Sequence, residues 1–359
     1  MSSSRPLVKR PFAEVMLAYH LHTEVQVAIK VLKKGTKNDF SVKTKINILK
    51  TLNYPHVIKL FHLVNTKGYT YMVMEHTASG DLVNHVEGVG PLQEEQTQHI
   101  FTQVVCAVDY CHTSGIAHRD IKLDNILLDG KDNAKLCDFG LAIWVTPGQD
   151  TKGFLVTLEN CASELFSNAE YDARAVDIWS MGVLLYGKVT ASIPFKANTY
   201  SEMKEEMLDP KYHLPNTHSE NIAYIIVKLF TVKPERRPKI CDIRQHQWVK
   251  GKEEFWKIIP SLEALCSNPY ASIIVAMWGM GYNPKNISSC LTKEKKVSNI
   301  MAMYLILNHK SPRGHSKYAG KFLQACVAMF AAGSLATFPS QRGLSGACSS
   351  HIAGGTPGA

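Results

Sequence analysis

Apolar and polar positions alternate along Glu24 to Leu32 (EVQVAIKVL), and most of the apolar residues are β-branched, which predicts a strand. Phe12 to Leu17 and Tyr69 to Met74 (YTYMVM) read the same way. Between them, Val42, Ile46, Leu49 and Leu52 recur at helical spacing, so Asp39 to Leu52 is expected to form a helix. Beyond Gly80 the period changes. Gln93 to His112 carries Ile100, Phe101, Val104, Val108 and Cys111 on one helical face. Ala175 to Val189 is apolar on nearly all sides, which predicts a buried helix. The first eighty residues are therefore mostly sheet with one helix, and the next stretch to about 250 is mostly helical. A second periodic region covers about 269–310: one helix runs into Met280-Gly281-Tyr282, another follows Asn283-Pro284, with proline in its first turn, and a third carries Val297, Ile300, Met301, Tyr304 and Leu305. From about 311 to 359 the chain is rich in Gly, Ala and Ser, carries no acid and loses its period. That tail is expected to be disordered.

Composition narrows the class. The chain has 359 residues, 45% of them apolar and 20% charged, which suits a globular protein and excludes collagen-like and disulfide-scaffold chains. The net charge is +9. The excess is concentrated in residues 1–60 and the tail, without interleaved aromatics, so phosphate groups or an acidic partner fit better than nucleic acid. The nine cysteines are scattered, with no Cys-x-x-Cys, as expected of a reducing, cytoplasmic setting. The opening MSSSRPLVKR is basic and polar, unlike a secretory signal. Phe322 to Phe338 is too polar and short to be read as a membrane span.

Candidate chemistry lies in the order of four short strings. A lysine in a strand (Lys30) is followed by His-Arg-Asp and then Asn125 in HRDIKLDN at 118–125, and last by Asp-Phe-Gly at 138–140. Phosphoryl transfer needs charge neutralisation and in-line positioning more than covalent chemistry, and this ordered set supplies both. On these residues the chain resembles a eukaryotic protein kinase over about residues 7–250. The implied fold is α+β and two-lobed, with a small lobe at about 7–78 and a large lobe at about 80–250, followed by a small three-helix domain at 269–310.

The resemblance implies roles residue by residue. Asp120 would accept the proton of a protein Ser or Thr hydroxyl, and Lys122 would reach the transferring phosphate in the serine/threonine form of the loop. Asn125 and Asp138 would hold Mg²⁺ against the phosphates of ATP. Lys30 would pair with the α- and β-phosphates. Met74 would gate the adenine pocket, and Glu75 to Thr77 would form the hinge that bonds adenine through its backbone. Ala28 and Leu127 would sandwich the ring, and Val15 matches the valine of the glycine-rich loop. Asp177 resembles the helix aspartate that braces the catalytic loop. Arg237 resembles the arginine that pairs with the Glu of the Ala-Pro-Glu motif, here Glu164.

Three departures stand out. Val8 and Arg10 occupy the positions of the first two loop glycines, whose lack of a Cβ lets the backbone approach phosphate, and Pro11 removes an N–H donor. Lys45 occupies the position of the helix Glu that pairs with Lys30. Two like charges about 4 Å apart cost on the order of a few kcal/mol near a surface, so the helix is expected to swing out. In the activation segment the motif reads Ala162-Ser163-Glu164, Gly153 stands at the phosphorylatable threonine and Val156 at the next glycine, while Thr157 survives.

The Met-Gly-Tyr turn between helices resembles a ubiquitin-associated (UBA) domain. A UBA after a Ser/Thr kinase resembles the AMP-activated-kinase-related and microtubule-affinity-regulating group. Within it the stretch at 18–20, the turn at 146–149 and the short spacing from Lys30 to the helix resemble the sperm motility kinases. The resemblance implies a kinase of reduced activity in sperm motility signalling, in the cytoplasm or the sperm flagellum, with protein substrates and weak ubiquitin or intramolecular contact through the UBA-like unit. The alternative reading is a pseudokinase that competes with active relatives for partners.

Overall fold

The structure is a computed structural model. It describes residues 2–10, 13–21, 23–35, 39–146, 148, 150–152, 160–167, 169–197, 199–214, 219–250, 271–292 and 298–314. Residues 1–311 cluster as one unit and 312–359 as another. The expectation of a disordered tail falls, from residue 315 onward, outside the described residues.

Five antiparallel strands form the first sheet in the order β1-β2-β3-β5-β4: β1 Ser2–Arg10, β2 Ala13–Tyr19, β3 Gln26–Lys33, β4 Leu60–Asn65 and β5 Tyr69–Glu75. Strand β1 is an element the hydrophobic pattern did not signal, because its residues are mostly polar. The period of two sorts β3 between the two faces of the sheet. Ala28 and Lys30 lie opposite Met74 and Met72 of β5 on one face. Val27, Ile29 and Val31 point the other way, where Val27 is fully buried.

The only helix of this lobe among the described residues, α1 (Asp39–Thr51), crosses the first face. It does not swing out. It packs against the turn Phe139–Leu141 and against β9 (Ile143–Trp144). The reason is apolar burial: Ile46, Ile48 and Leu49, with Leu52 just beyond the helix, are all buried. At roughly 1.5–3 kcal/mol per side chain, four such residues outweigh one like-charge contact.

The second lobe opens with α2 (Leu82–Val89) and is built on α3 (Glu94–Thr113) and α4 (Ala173–Thr190). The latter is buried almost throughout, as its all-round apolar pattern requires. Asp172 caps α4 by accepting from the Arg174 N–H. Between α3 and α4 lie the short strands β6 (Ile116–Ala117), β7 (Ile126–Leu128) and β8 (Ala134–Leu136), and β9 pairs with β6. These hairpin-sized pieces carry the chemistry-bearing loops.

After the helices Tyr200–Leu208, Glu220–Leu229 and Ile240–Gln245 that complete this lobe, three more close the described chain, Ala271–Gly279, Pro284–Thr292 and Asn299–Gly314. The apolar residues of these last three form one cluster with the outer face of the first sheet: Met277, Ile287, Met301 and Tyr304 pack with Val27, Ile29, Phe61 and Val73. The sheet is thus covered on both faces. At the turn after Ala271–Gly279, Trp278 and Met280 are exposed, Gly281 takes a φ of 90° and Tyr282 is half-buried against the cluster.

Candidate active site

The site is built where β3, the loop after β6 and the loop after β8 meet. Asp177 of α4 organises the middle loop. Its carboxylate accepts from the backbone N–H groups of His118 (2.9 Å) and Arg119 (2.7 Å), and His112 Nε2 lies 2.8 Å from it. These bonds hold Arg119 at a φ of 63°, a conformation a non-glycine residue adopts only when its surroundings fix it. The His118 ring meets the Phe139 ring edge-on at 4.7 Å and is bonded to the Cys137 carbonyl at 3.0 Å. The two loops are thereby locked together.

Asp120 sits on this platform, 8% exposed. Its Oδ2 accepts from Asn125 Nδ2 at 2.8 Å, and that amide also donates to the Asp120 carbonyl at 2.8 Å. Lys122 Nζ lies 3.3 Å from Asp120 Oδ1, close enough to attract but out of hydrogen-bond alignment. Asn125 is joined to the next loop through its carbonyl, which accepts from the Cys137 N–H at 2.9 Å. Asp138 follows, at a φ of 56°, and its Oδ1 accepts from Lys30 Nζ at 2.7 Å. The structure thus brings Lys30, Asp120, Lys122, Asn125 and Asp138 into one cluster.

Two observations bear on whether this cluster suits a metal-bound phosphate. Asn125 Oδ1 is a buried acceptor with no hydrogen-bond partner among the described residues. A Cβ at Gly140 would come within 2.9 Å of Asp138 Oδ1, so the glycine leaves that carboxylate its room. An unpaired amide oxygen and a carboxylate are the hard oxygen donors magnesium takes. The residues present therefore fit the group.

The residues expected to enclose adenine are placed differently. Val15 lies opposite Lys30 across β2 and β3, and Ala28 precedes Lys30 by two residues on the same face. Leu127 is half-buried and bridges to Asp81. Thr77 is buried just beyond β5. The Glu75 side chain is engaged away from these groups. Its Oε1 pairs with Lys135 Nζ at 2.9 Å and lies 3.7 Å from His309 Nδ1, and its Oε2 accepts from the Lys59 N–H at 3.2 Å. The Glu75 backbone N–H donates to the Lys59 carbonyl at 2.9 Å. Side chains at Val8 and Arg10, and the residues Pro11, Phe12, Gly153, Val156 and Thr157, lie outside what the structure describes.

Lys45 is half-buried on the inner side of α1. Burial lowers its pKa, and the charge of Lys30 lowers it further, while Asp138 works the other way. Arg119 is spoken for: its Nε donates to the Leu141 carbonyl at 2.8 Å and its Nη1 to the Tyr171 hydroxyl at 3.4 Å. At the far end of the segment, Arg237 grips Glu164 with two bonds of 2.7 and 2.9 Å. Ser163 fills the position of the motif proline by donating to the Val232 carbonyl at 2.8 Å. The pairs Glu75–Lys135 and Arg119–Tyr171 were not legible in the sequence, because neither is marked by spacing.

A two-lobed fold with a cleft cluster of this composition defines a protein kinase. Residues 10–249 match the protein kinase domain model, more than half of the chain, and the chain belongs to that family. Among curated proteins it is similar to putative sperm motility kinase W of Mus musculus, 37% identical over 303 residues, covering 84% of this chain and 59% of that protein. It is also similar to mouse sperm motility kinase 2B, 33% identical over 296 residues, with 82% of this chain and 60% of the relative covered. The chain spans about three fifths of the length of these relatives.

Proposed function

We propose that the chain transfers the γ-phosphoryl group of ATP to a Ser or Thr hydroxyl of a protein, at a reduced rate and in a sperm motility signalling role. The observation that carries this reading is the single cluster of Lys30, Asp120, Lys122, Asn125 and Asp138. ATP and Mg²⁺ are what protein kinase domains use in general, and when bound they supply the phosphoryl group and its charge neutralisation. The chain's own groups do the rest. Asp120, oriented by Asn125, is placed to take the hydroxyl proton of the acceptor at its carboxylate. Lys122 neutralises oxygens beside Asp120, and Lys30 positions the phosphates. Asn125 Oδ1 and Asp138 would hold the metal. Val15, Ala28 and Leu127 would enclose adenine, with the backbone from Glu75 to Thr77 as its polar edge. The sperm role rests on the names of the relatives, and a cytoplasmic location is part of the same proposal. Among the described residues no helix is long and apolar enough to cross a membrane.

The three C-terminal helices are read as a UBA-like unit. Its packing on the first sheet supports an intramolecular role, and the exposed Trp278 and Met280 offer a small apolar site for weak ubiquitin contact.

The test is phosphotransfer to a Ser/Thr peptide library with wild type and Asp120→Asn. A loss of roughly 100- to 10,000-fold in the variant is expected from removing a general base. Equal residual rates in the two proteins would refute the assignment. One observation favours the second reading, a pseudokinase: Lys45 stands where an active helix would present a carboxylate to Lys30. Phosphotransfer absent from wild type, with partner binding retained, is the result that reading requires.

A further inference from the structure

Among the described residues, Lys45 is the departure from the kinase pattern carried by the helix that packs beside the Asp138 turn. The helix that carries it is held against the Phe139–Leu141 turn by its buried apolar residues, so the ammonium cannot leave by a movement of the helix without exposing them. That turn begins just after Asp138, the partner of Lys30, and the charges of Lys30, Asp138 and Arg119 all act on Lys45. Arg119 is bonded to a carbonyl and a hydroxyl, neither of which carries charge. Asp138, through Oδ1, is already engaged by Lys30.

The balance of charge follows from this arrangement. Two lysines face one carboxylate, and that carboxylate is shared. A lysine in place of a glutamate raises the charge of the cleft by two units, the charge carried by one magnesium ion. Two half-buried ammonium groups within electrostatic reach of each other repel until an anion comes between them. A triphosphate is such an anion.

We infer that Lys45 is a phosphate-binding residue and acts as a resident cation of the nucleotide site, letting the chain bind ATP without a divalent metal. This rests on the nucleotide-site reading above and adds to it which group neutralises the phosphates. Lys30 and Lys45 clasp the polyphosphate from the sheet side and the helix side. Magnesium, which Asn125 and Asp138 would hold, becomes a requirement of transfer and not of binding.

The experiment is calorimetric titration of the full-length chain with ATP, in excess Mg²⁺ and in excess EDTA, with adenosine as the phosphate-free control. Wild type is expected to bind ATP in EDTA with an affinity within about threefold of that in Mg²⁺, and Lys45→Met is expected to lose roughly tenfold in EDTA, the scale of one charge contact at a protein surface. Lys45→Glu, which offers Lys30 a carboxylate, is expected to bind ATP in Mg²⁺ and to lose binding in EDTA. Thermal melts of the nucleotide-free variants check that each is folded. ATP binding by wild type in Mg²⁺ alone would overturn the inference and leave the nucleotide site standing. Equal affinities of wild type and Lys45→Met in EDTA would also overturn it. Absence of binding to ATP and adenosine under both conditions would overturn the inference and the nucleotide site together.

Discussion

Lys188 sits in the last turns of α4 with 0% of its surface exposed, and its Nζ has no hydrogen-bond partner among the described residues. Burial pushes its pKa from 10.5 down to about 7, against a weaker opposing pull from Asp132. An amine in that position must either discard its proton or keep a charge in apolar surroundings. The sign follows. Between pH 7 and 10.5 the unfolded chain holds the proton that the folded chain has given up, so stability rises with pH across that window. Below pH 7 the whole penalty applies. At about 1.4 kcal/mol per pH unit, the fall in pKa is worth about 5 kcal/mol, a large fraction of what holds a typical domain together. Lys188→Met keeps the length of the side chain and removes the charge. The variant is expected to be more stable than wild type by up to about 5 kcal/mol at pH 6.5, with the advantage shrinking to about 1 kcal/mol at pH 10. Urea unfolding of both proteins across pH 6.5–10 measures it. A variant no more stable than wild type, or an advantage that does not shrink as pH rises, would refute the reasoning.

Other perturbations probe separate parts of the molecule. Arg237→Ala leaves the Glu164 carboxylate buried without its partner, and a loss of roughly 3–5 kcal/mol in denaturant unfolding is expected; a loss below about 1 kcal/mol would show that the pair is solvated. His56 is buried beneath the Ala134 carbonyl, and burial lowers its pKa from 6.5 to about 4. The unfolded chain therefore takes up the proton first, and about 3 kcal/mol of stability is lost as pH falls from 6.5 to 4; His56→Phe should flatten that part of the wild-type profile. Met301→Ala, at the centre of the cluster between the sheet and the C-terminal helices, should cost roughly 2–5 kcal/mol. A near-neutral result there would mean that the helices contribute little to the fold.

The parts of the fold legible in the sequence were those with a strong period. The strand through Lys30, the helix through Leu49 and the buried α4 all fall within a few residues of their expected bounds. The cluster of Lys30, Asp120, Asn125 and Asp138 was legible through motif order, since each string is short but their sequence along the chain is distinctive. What was missed depends on contacts between distant segments. The position of α1 turned on a contest between one repulsive pair and four buried apolar residues, and charge alone gave the wrong answer. The engagement of Glu75 with Lys135 and the isolation of Lys188 have no local signature. One signal was present and went unread: β3 is apolar at Val27, Ile29 and Val31 as well as at Ala28, which marks a strand buried on both faces.

That doubly covered sheet changes what counts as a self-sufficient piece of this protein. The residues that match the kinase family end at 249, yet the outer face of the first sheet is completed by helices that begin at 271. A fragment cut at the family boundary would lay bare Val27, Ile29, Phe61 and Val73 together, on a row of neighbouring strands. Contiguous apolar surface of that kind recruits other copies of itself. The boundary drawn by family resemblance and the boundary drawn by solubility are therefore different lines in this chain, some sixty residues apart at the end of the third helix. A fragment ending at 249 is destined for the pellet, and one that keeps the chain through Gly314 retains the cover its sheet needs.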